Sequence, residues 1–512
     1  MSKKDNRVLI FDTTLRDGEQ AGHKMDPATK LSVARLLAEF GVDVIEAGFP
    51  ASPGDDVGVS KIASAIRGPI ICALARTMPS DVVAAARALE QATRPRIHVF
   101  VATSDVHVQK KLRVTQDVVL EMIRSQVRLA KSYCDDVEYS PEDAARTSPE
   151  FLAQAVRIAI GEGARTINIP DTVGIAAPWE FEDRIKNLYE AVPELREVIL
   201  SVHCHNDLAM AVANTLAGVR AGARQVEGCF LGIGERAGNA MLEPIIVALK
   251  LKLGMDTGVV WEKLCITSRM IARTIGLPIP EHYPLVGEQA FAHSSGIHAD
   301  GVIKDPSTYE IIQPESIGWD GKTVKLVSHL GRSGIRDYYL KELGTAFTDV
   351  ELEAVHSRYM EVANLKLELS NEDLVMILQE VRTAQEAVKK DLYRLTEISY
   401  DRVGNERASA RITLACNELA VVTSGKGDGA IDAVDQAILH ALLGHGEEMS
   451  RLALVDYKVL KGEQQTSSAN AWVFAAVCLD GRIGYGRAQN TDVVIASAHA
   501  FISAINNLIF GQ

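Results

Sequence analysis

The sequence predicts a (β/α)8 TIM barrel, then a mostly helical linker region, then a small α+β domain. Three observations carry this. A short apolar run followed by a helical stretch recurs eight times in the first half of the 512 residues. Those runs hold few alternating polar positions, as parallel strands buried on both faces require. The residues that bear chemistry follow several different runs, as they do at the C-terminal ends of barrel strands. A doubly wound open sheet is the competing architecture, but no GxGxxG turn follows the first run.

The runs are Val8–Leu15, Val42–Phe49, Pro69–Ala75, Arg96–Ala102, Asp136–Ser140, Thr166–Ile169, Ile199–His205 and Gln225–Leu231. Between them, segments such as Ala28–Phe40, Asp81–Gln91 and Leu208–Ala221 carry the apolar spacing of amphipathic helices. Eight strand–helix units in about 250 residues fit a barrel, and a catalytic domain is expected over 1–275. Three prolines then interrupt Gly276–Pro284, so that stretch is not helical throughout. A linker is expected over 276–393, ending in helices at Asp349–Leu367 and Glu372–Lys390.

The last part, 394–512, reads as a faint duplication. Arg411–Cys416, a turn at Asn417-Glu418, Leu419–Thr423 and a helix at Ala430–Leu443 form one copy. Trp472–Cys478, a turn at Asp480-Gly481, Ile483–Gly486 and a helix at Val493–Leu508 form the other. The Asp-Gly pair is a hairpin signal. Two ββα units packing their helices on one side of a small sheet are predicted.

Composition excludes several functions. The net charge of −13 opposes binding to nucleic acid or to anionic membranes. Aromatic residues are only 5%, too few for a base-stacking surface. The seven cysteines are an odd number with no CxxC pair, which points to a reducing compartment. The first twenty residues lack a signal-peptide core, and no apolar run reaches membrane-spanning length. A cytoplasmic protein is predicted.

Strand one leads into Arg16-Asp17, strand seven ends in His203-Cys204-His205, and strand eight leads to Asn239. His203 and His205 stand two apart on a strand, so their imidazoles share a face, while Cys204 points away and packs. Strands seven, eight and one adjoin in a closed barrel, so Asp17, His203, His205 and Asn239 can converge. Two imidazoles, a carboxylate and an amide oxygen without thiolate suit Mn²⁺ or Mg²⁺, with Zn²⁺ also admitted. Taken alone, His-x-His reads equally well as a solvated loop pair. Arg16 can bind a carboxylate or polarise a ketone oxygen while pairing with Glu46 at the end of strand two.

The segments FDTTLRDGEQ at 11–20, INIPDTVG at 167–174, SVHCHNDL at 201–208, GIGERAGN at 232–239 and FAHSSGIHADGV at 291–302 together resemble the 2-isopropylmalate synthase family. Homocitrate and citramalate synthases are its relatives, and the resemblance spans nearly the whole chain. It implies a Claisen-type condensation of acetyl-CoA with 3-methyl-2-oxobutanoate, the first committed step of leucine biosynthesis. A citramalate or other 2-alkylmalate synthase is the alternative, differing in the oxo acid. A silent amino-acid sensor would need a broken metal set, and all four ligands are present.

Carried over by motif, Asp17, His203, His205 and Asn239 hold the metal, and Arg16 touches the ketone oxygen. Thr172 binds the substrate carboxylate, with His98 and Ser140 in the same pocket. Glu142 matches an acidic site residue, and Glu235 orients the metal ligands. His298, with Tyr309 beside it, is placed over the partner subunit's active site, where it acts in proton transfer. A homodimer or higher homo-oligomer follows, and K⁺ is admitted as a monovalent cofactor. The C-terminal domain resembles a leucine-binding regulatory domain, which makes leucine the expected feedback inhibitor. Its characteristic turn, with Gly427, Gly429, Ala430 and Asp432, lacks the Lys-Ser/Thr ending of a phosphate-binding loop. The chain departs from the family at Ala209, for a usual Gly, at Ala430, for a common Pro, and also at Gly22-His23-Lys24, at PASPGD over 50–55 and at Ser328–Gly334.

Overall fold

The computed structural model describes residues 6–22, 24–293, 298, 301–302, 304–321, 331–363, 369–386, 392–402, 407–416, 419–445, 447–461 and 471–510. These fall into two compact units, Met1–Ala292 with Ile312–Lys322, and His293–Ile311 with Thr323–Gln512.

The first unit is a closed barrel of eight parallel strands in sequence order. They are β1 (Leu9–Asp12), β2 (Val44–Gly48), β3 (Ile70–Arg76), β4 (Pro95–Ala102), β5 (Val137–Glu142), β6 (Thr166–Asp171), β7 (Ile199–Cys204) and β8 (Gln225–Gly228). β1 pairs with both β2 and β8, which closes the cylinder. The helices start where capping chemistry allows. Asp26 accepts from the Ala28 and Thr29 amides ahead of Pro27–Phe40, with proline at the first turn. Ser148 does the same for the Phe151 amide ahead of Pro149–Gly161. Between barrel and helices lies one continuous apolar core that includes Ile10, Val33, Leu37, Ile45, Val99 and Val202.

The inside of the barrel is not wholly apolar. Arg96 is 2% exposed and bonds Glu138, Gln225 and Asp136. Gln225 passes the network to Ser201, and Ser201 donates to Glu227. Burial and the neighbouring Glu227 push the Glu138 carboxyl well above its usual range. Burial also raises Glu227, to about 7. A buried pair of carboxyls this close favours holding one proton between them.

In the second unit the duplication is larger than the sequence pattern. Each copy has three strands before its helix, not two. β9 (Arg394–Asp401), β10 (Ala408–Cys416) and β11 (Leu419–Gly427) precede the helix Ala430–Leu442. β12 (Ala453–Lys461), β13 (Ala471–Leu479) and β14 (Arg482–Asn490) precede the helix Val493–Phe510. They form two separate antiparallel sheets rather than one. The missed strand in each copy is an edge strand, and β9 is mostly exposed, so it lacks the apolar signal that marked its neighbours. The hairpin at Asp480-Gly481 is present, with both residues left-handed; the turn at 417–418 lies outside the described residues.

The helix Val493–Phe510 corrects a second expectation. Its mean hydropathy of 1.7 and its 18 residues match a membrane span. Ser, His and Asn interrupt the apolar run, so a strict count passes over it. Two-thirds of it is buried inside the protein, and it packs on β13 and β14 as a core helix. The linker helices run Arg332–Leu343, Asp349–Ala363 and Asn371–Glu386.

Candidate active site

The chemistry gathers at the C-terminal end of the barrel. After β1 the chain turns back at once, and the Thr13 carbonyl accepts from the Arg16, Asp17 and Gly18 amides. This turn aims Arg16 and Asp17 over the barrel mouth. Arg16 then bridges two acids, with Nε 2.5 Å from Glu46 Oε2 and Nη1 2.6 Å from Asp17 Oδ2. Burial would raise the Asp17 carboxyl, but Arg16 and the two imidazoles hold it well below the usual carboxylate range. Glu46 is held at about 2 by Arg16 and His98 against its own burial.

From β7, His203 Nε2 stands 3.7 Å from Asp17 Oδ2, and His205 Nε2 stands 3.9 Å from the same oxygen. Burial lowers both imidazoles to about 4. Asn239 arrives by a route that the strand order alone does not give. The loop after β8 folds back and pairs with the end of β7, with Asn206 N–H donating to the Gly238 carbonyl and Ala240 N–H to the Cys204 carbonyl. Gly234 makes room for it. A Cβ there would sit 2.0 Å from the Asn239 amide nitrogen. Asn239 Nδ2 donates to Asp17 Oδ1 at 3.1 Å, while its buried Oδ1 has no hydrogen-bond partner. Ligand atoms of Asp17, His203 and His205 all lie within 4.8 Å of one another.

Arg16, Asp17, His203 and His205 line a cavity of about 190 Å³ together with Gln20, Leu74, His98, Phe100, Ser140, Glu142, Asn168, Pro170, Thr172, Glu227 and Glu235. His98 is clamped between Glu46 and Ser140, at 2.9 and 2.7 Å. Asn168 also donates to Ser140, leaving its own buried Oδ1 without a partner. The Thr172 hydroxyl accepts from the Asp143 amide, so its proton is free to point into the cavity. Glu142 pairs with Lys111.

Glu235, expected to orient the ligands, is more than half exposed and pairs with Arg236. The outer nitrogens of the imidazoles have other partners. His203 Nδ1 lies 3.2 Å from Glu227 Oε2, because the β7–β8 register sets those two residues side by side. His205 Nδ1 faces the Arg236 guanidinium at 3.1 Å. Arg236 also holds Asp207 and the Thr172 carbonyl, with its own backbone left-handed at φ 56°. The sequence reading missed Glu227, Arg236 and Asn168. Asn168 and Arg236 lie in quoted motifs; for Asn168 and Glu227 a polar residue on a strand otherwise buried was the available signal, while Arg236 stands in a loop and offered none of that kind.

His298 and Tyr309 belong to the second unit and meet there, with ring centroids 4.4 Å apart and His293 alongside. Gly427 ends β11, and a Cβ on it would lie 2.4 Å from the Ala433 amide nitrogen. Gly429 and Ala430 begin the next helix, and Asp432 accepts from the Asp428 amide.

The fold and pocket define a (β/α)8-barrel enzyme with an acid–imidazole centre at its strand ends. Residues 7–271 match the HMGL-like family model, 285–367 the homocitrate synthase post-HMGL domain-like model, and 368–509 the LeuA allosteric (dimerisation) domain model. The chain is 42% identical to a 2-isopropylmalate synthase of Methylacidiphilum infernorum (isolate V4), over 99% of this chain and 100% of that one. It is 43% identical to a 2-isopropylmalate synthase of Aquifex aeolicus (strain VF5), over 98% and 96%. A hydroxymethylglutaryl-CoA lyase structure from Pseudomonas aeruginosa aligns at 22% identity and TM-score 0.47, over 53% of this chain and 94% of that one. The chain belongs to the 2-isopropylmalate synthase family.

Proposed function

We propose that the protein condenses acetyl-CoA with 3-methyl-2-oxobutanoate, water then cleaving the thioester to give 2-isopropylmalate and CoA, in the cytoplasm as a step of leucine biosynthesis. The observation that carries this reading is the convergence of Asp17, His203, His205 and the orphaned Asn239 Oδ1 beside Arg16.

The donor set fits a divalent cation. Two imidazoles that burial keeps neutral, one carboxylate and one buried, unpartnered amide oxygen are ligands in want of an ion. Mn²⁺ or Mg²⁺ is the proposed ion, and when bound it supplies Lewis-acid polarisation of the ketone. Arg16 donates to the oxygen on which negative charge develops. The Thr172 hydroxyl and Asn168 orient the substrate carboxylate, while Leu74, Phe100 and Pro170 offer an apolar wall to its branched end. Glu142 takes the proton from the acetyl methyl. His298 and Tyr309 act with it in a homodimer, and the domain from 394 onward answers to leucine.

The test is CoA thiol release from acetyl-CoA across a panel of 2-oxo acids with Mn²⁺ or Mg²⁺, each with and without leucine. The expected result is release that depends on metal and is fastest with 3-methyl-2-oxobutanoate. Release with pyruvate but not with 3-methyl-2-oxobutanoate would replace this reading.

A further inference from the structure

The turn after β4 is wound in an unusual way. His107–Leu112 form a single π-helical turn that ends at Arg113 in a left-handed conformation, φ 57°. Such a turn inserts an extra residue into a helix and re-aims the side chains on it, and it recurs at functional sites. Here it delivers two side chains to one atom. Lys111 Nζ lies 2.7 Å from Glu142 Oε1, and His107 Nε2 lies 3.8 Å from the same oxygen.

The His107 ring is itself oriented. Its Nδ1 lies 2.9 Å from both Asp143 Oδ2 and Ser104 Oγ. Asp143 is fully buried and left-handed, φ 65°, a conformation costly for a residue with a Cβ. The distortion has a visible result. It turns the Asp143 carboxylate towards His107 and Arg146 while the preceding residue, Glu142, lines the cavity. The Asp143 amide is tied to the Thr172 hydroxyl on the other side. Held at Nδ1 by Asp143 and Ser104, the ring is fixed with its Nε2 edge beside Glu142 Oε1, at 3.8 Å and outside hydrogen-bond reach.

We propose that Lys111 is a positioning residue for the Glu142 carboxylate, gripping Oε1 so that Oε2 meets the acetyl methyl of acetyl-CoA, and that the oriented His107 ring beside that oxygen limits its swing. This rests on the condensation reading above. In the step served, a methyl C–H bond breaks, its electron pair stays on the enolate, and the proton goes to Glu142 Oε2. Without the grip the carboxylate swings, and near-attack geometry is lost. Neither residue touches substrate in this scheme.

The full-length protein, loaded with Mn²⁺ and supplied with 3-methyl-2-oxobutanoate, tests this with acetyl-CoA and its trideuteriomethyl form. Lys111→Met is expected to lower kcat about tenfold and to raise the deuterium isotope effect. The oxo-acid KM and the Mn²⁺ affinity are expected to stay within about twofold, and Lys111→Arg to recover most of the rate. His107→Asn is expected to behave like Lys111→Met. If His107→Asn does not fold, Lys111→Met still decides, because its side chain is 53% exposed and its loss spares the core. Lys110→Met, on the neighbouring exposed lysine, is expected to match wild type. A Lys111→Met protein with wild-type kcat and isotope effect overturns the proposal. So does a rate loss that follows Mn²⁺ affinity. A wild-type protein that turns over no 2-oxo acid instead overturns the parent reading.

Discussion

His203 and His205 share a strand and a face but not an environment. A carboxylate faces the outer nitrogen of His203, and a guanidinium faces that of His205. A carboxylate fixes the tautomer whose Nε2 lone pair is free for a cation, a role outer partners commonly play at metal sites. Glu227→Gln is therefore expected to weaken Mn²⁺ binding by about 10–100-fold in a calorimetric titration of the metal alone. Burial sets the pH response as well. An ordinary imidazole would protonate near pH 6.5 and reject the cation below it. These two are held at about 4, so they are neutral, with lone pairs available, well into the acid range. Asp17, held lower still, adds no proton there. In the metal-free protein the two rings are expected to take up protons only as pH drops through about 4, read from an NMR titration of the imidazoles. A ring titration centred on pH 6.5 would contradict this. One departure from the family has a stability consequence. Ala209 is left-handed, φ 57°, where glycine is unstrained. Ala209→Gly is expected to stabilise the protein by about 1 kcal/mol in urea unfolding.

Glycines in the C-terminal domain do element-scale work that their sequence context disguises. Gly425-Lys-Gly-Asp-Gly429 reads as a ligand-holding loop, yet Gly425 and Gly427 lie on β11. A Cβ on Gly425 would come within 2.3 Å of the Ala433 carbonyl oxygen. The second copy repeats the device, with Gly484 and Gly486 on β14 placing virtual Cβ atoms 2.3 and 2.2 Å from the Ala504 and Ala500 carbonyls. In both copies a GxG pair lets a strand press against its own helix. Gly425→Ala is expected to cost about 1–3 kcal/mol by overpacking, read from thermal unfolding. Gly429→Ala, with no atom within 4 Å of the added carbon, is expected to cost under about 1 kcal/mol. Equal losses at both positions would remove the packing explanation.

At the scale of the molecule, the second unit is bound together across the linker. Gln379 donates to the Ile483 carbonyl and accepts from the Tyr485 amide, and Glu380 pairs with both Arg487 and Arg358. The helix Asn371–Glu386 thus completes the edge of β14. A fragment spanning 369–512 is expected to unfold cooperatively and at a higher temperature than 392–512, which strips those partners from β14 and leaves buried polar groups unpaired. Identical melting of the two fragments would show that the linker helix is dispensable.

What the sequence determined by itself was whatever repeats locally. The strand–helix alternation gave the barrel. The two-residue period put both imidazoles on one face, and the motifs carried the family. The extra strand β9 escaped because an exposed edge strand leaves little apolar pattern, whereas β12, with Leu454, Val455, Tyr457, Val459 and Leu460, carries one that the reading of a two-stranded repeat passed over. Only the tertiary structure decided who stands beside whom. Glu227 meets His203 through the register of two strands, Asn239 reaches the site through a loop that folds back onto β7, and His107 reaches Glu142 through a wound turn across two strands. Those neighbours are fixed by how segments apart in sequence lie side by side, and the closure that brings Asp17 on the β1 side to β8 is a property of all eight strands at once, with no local period to read.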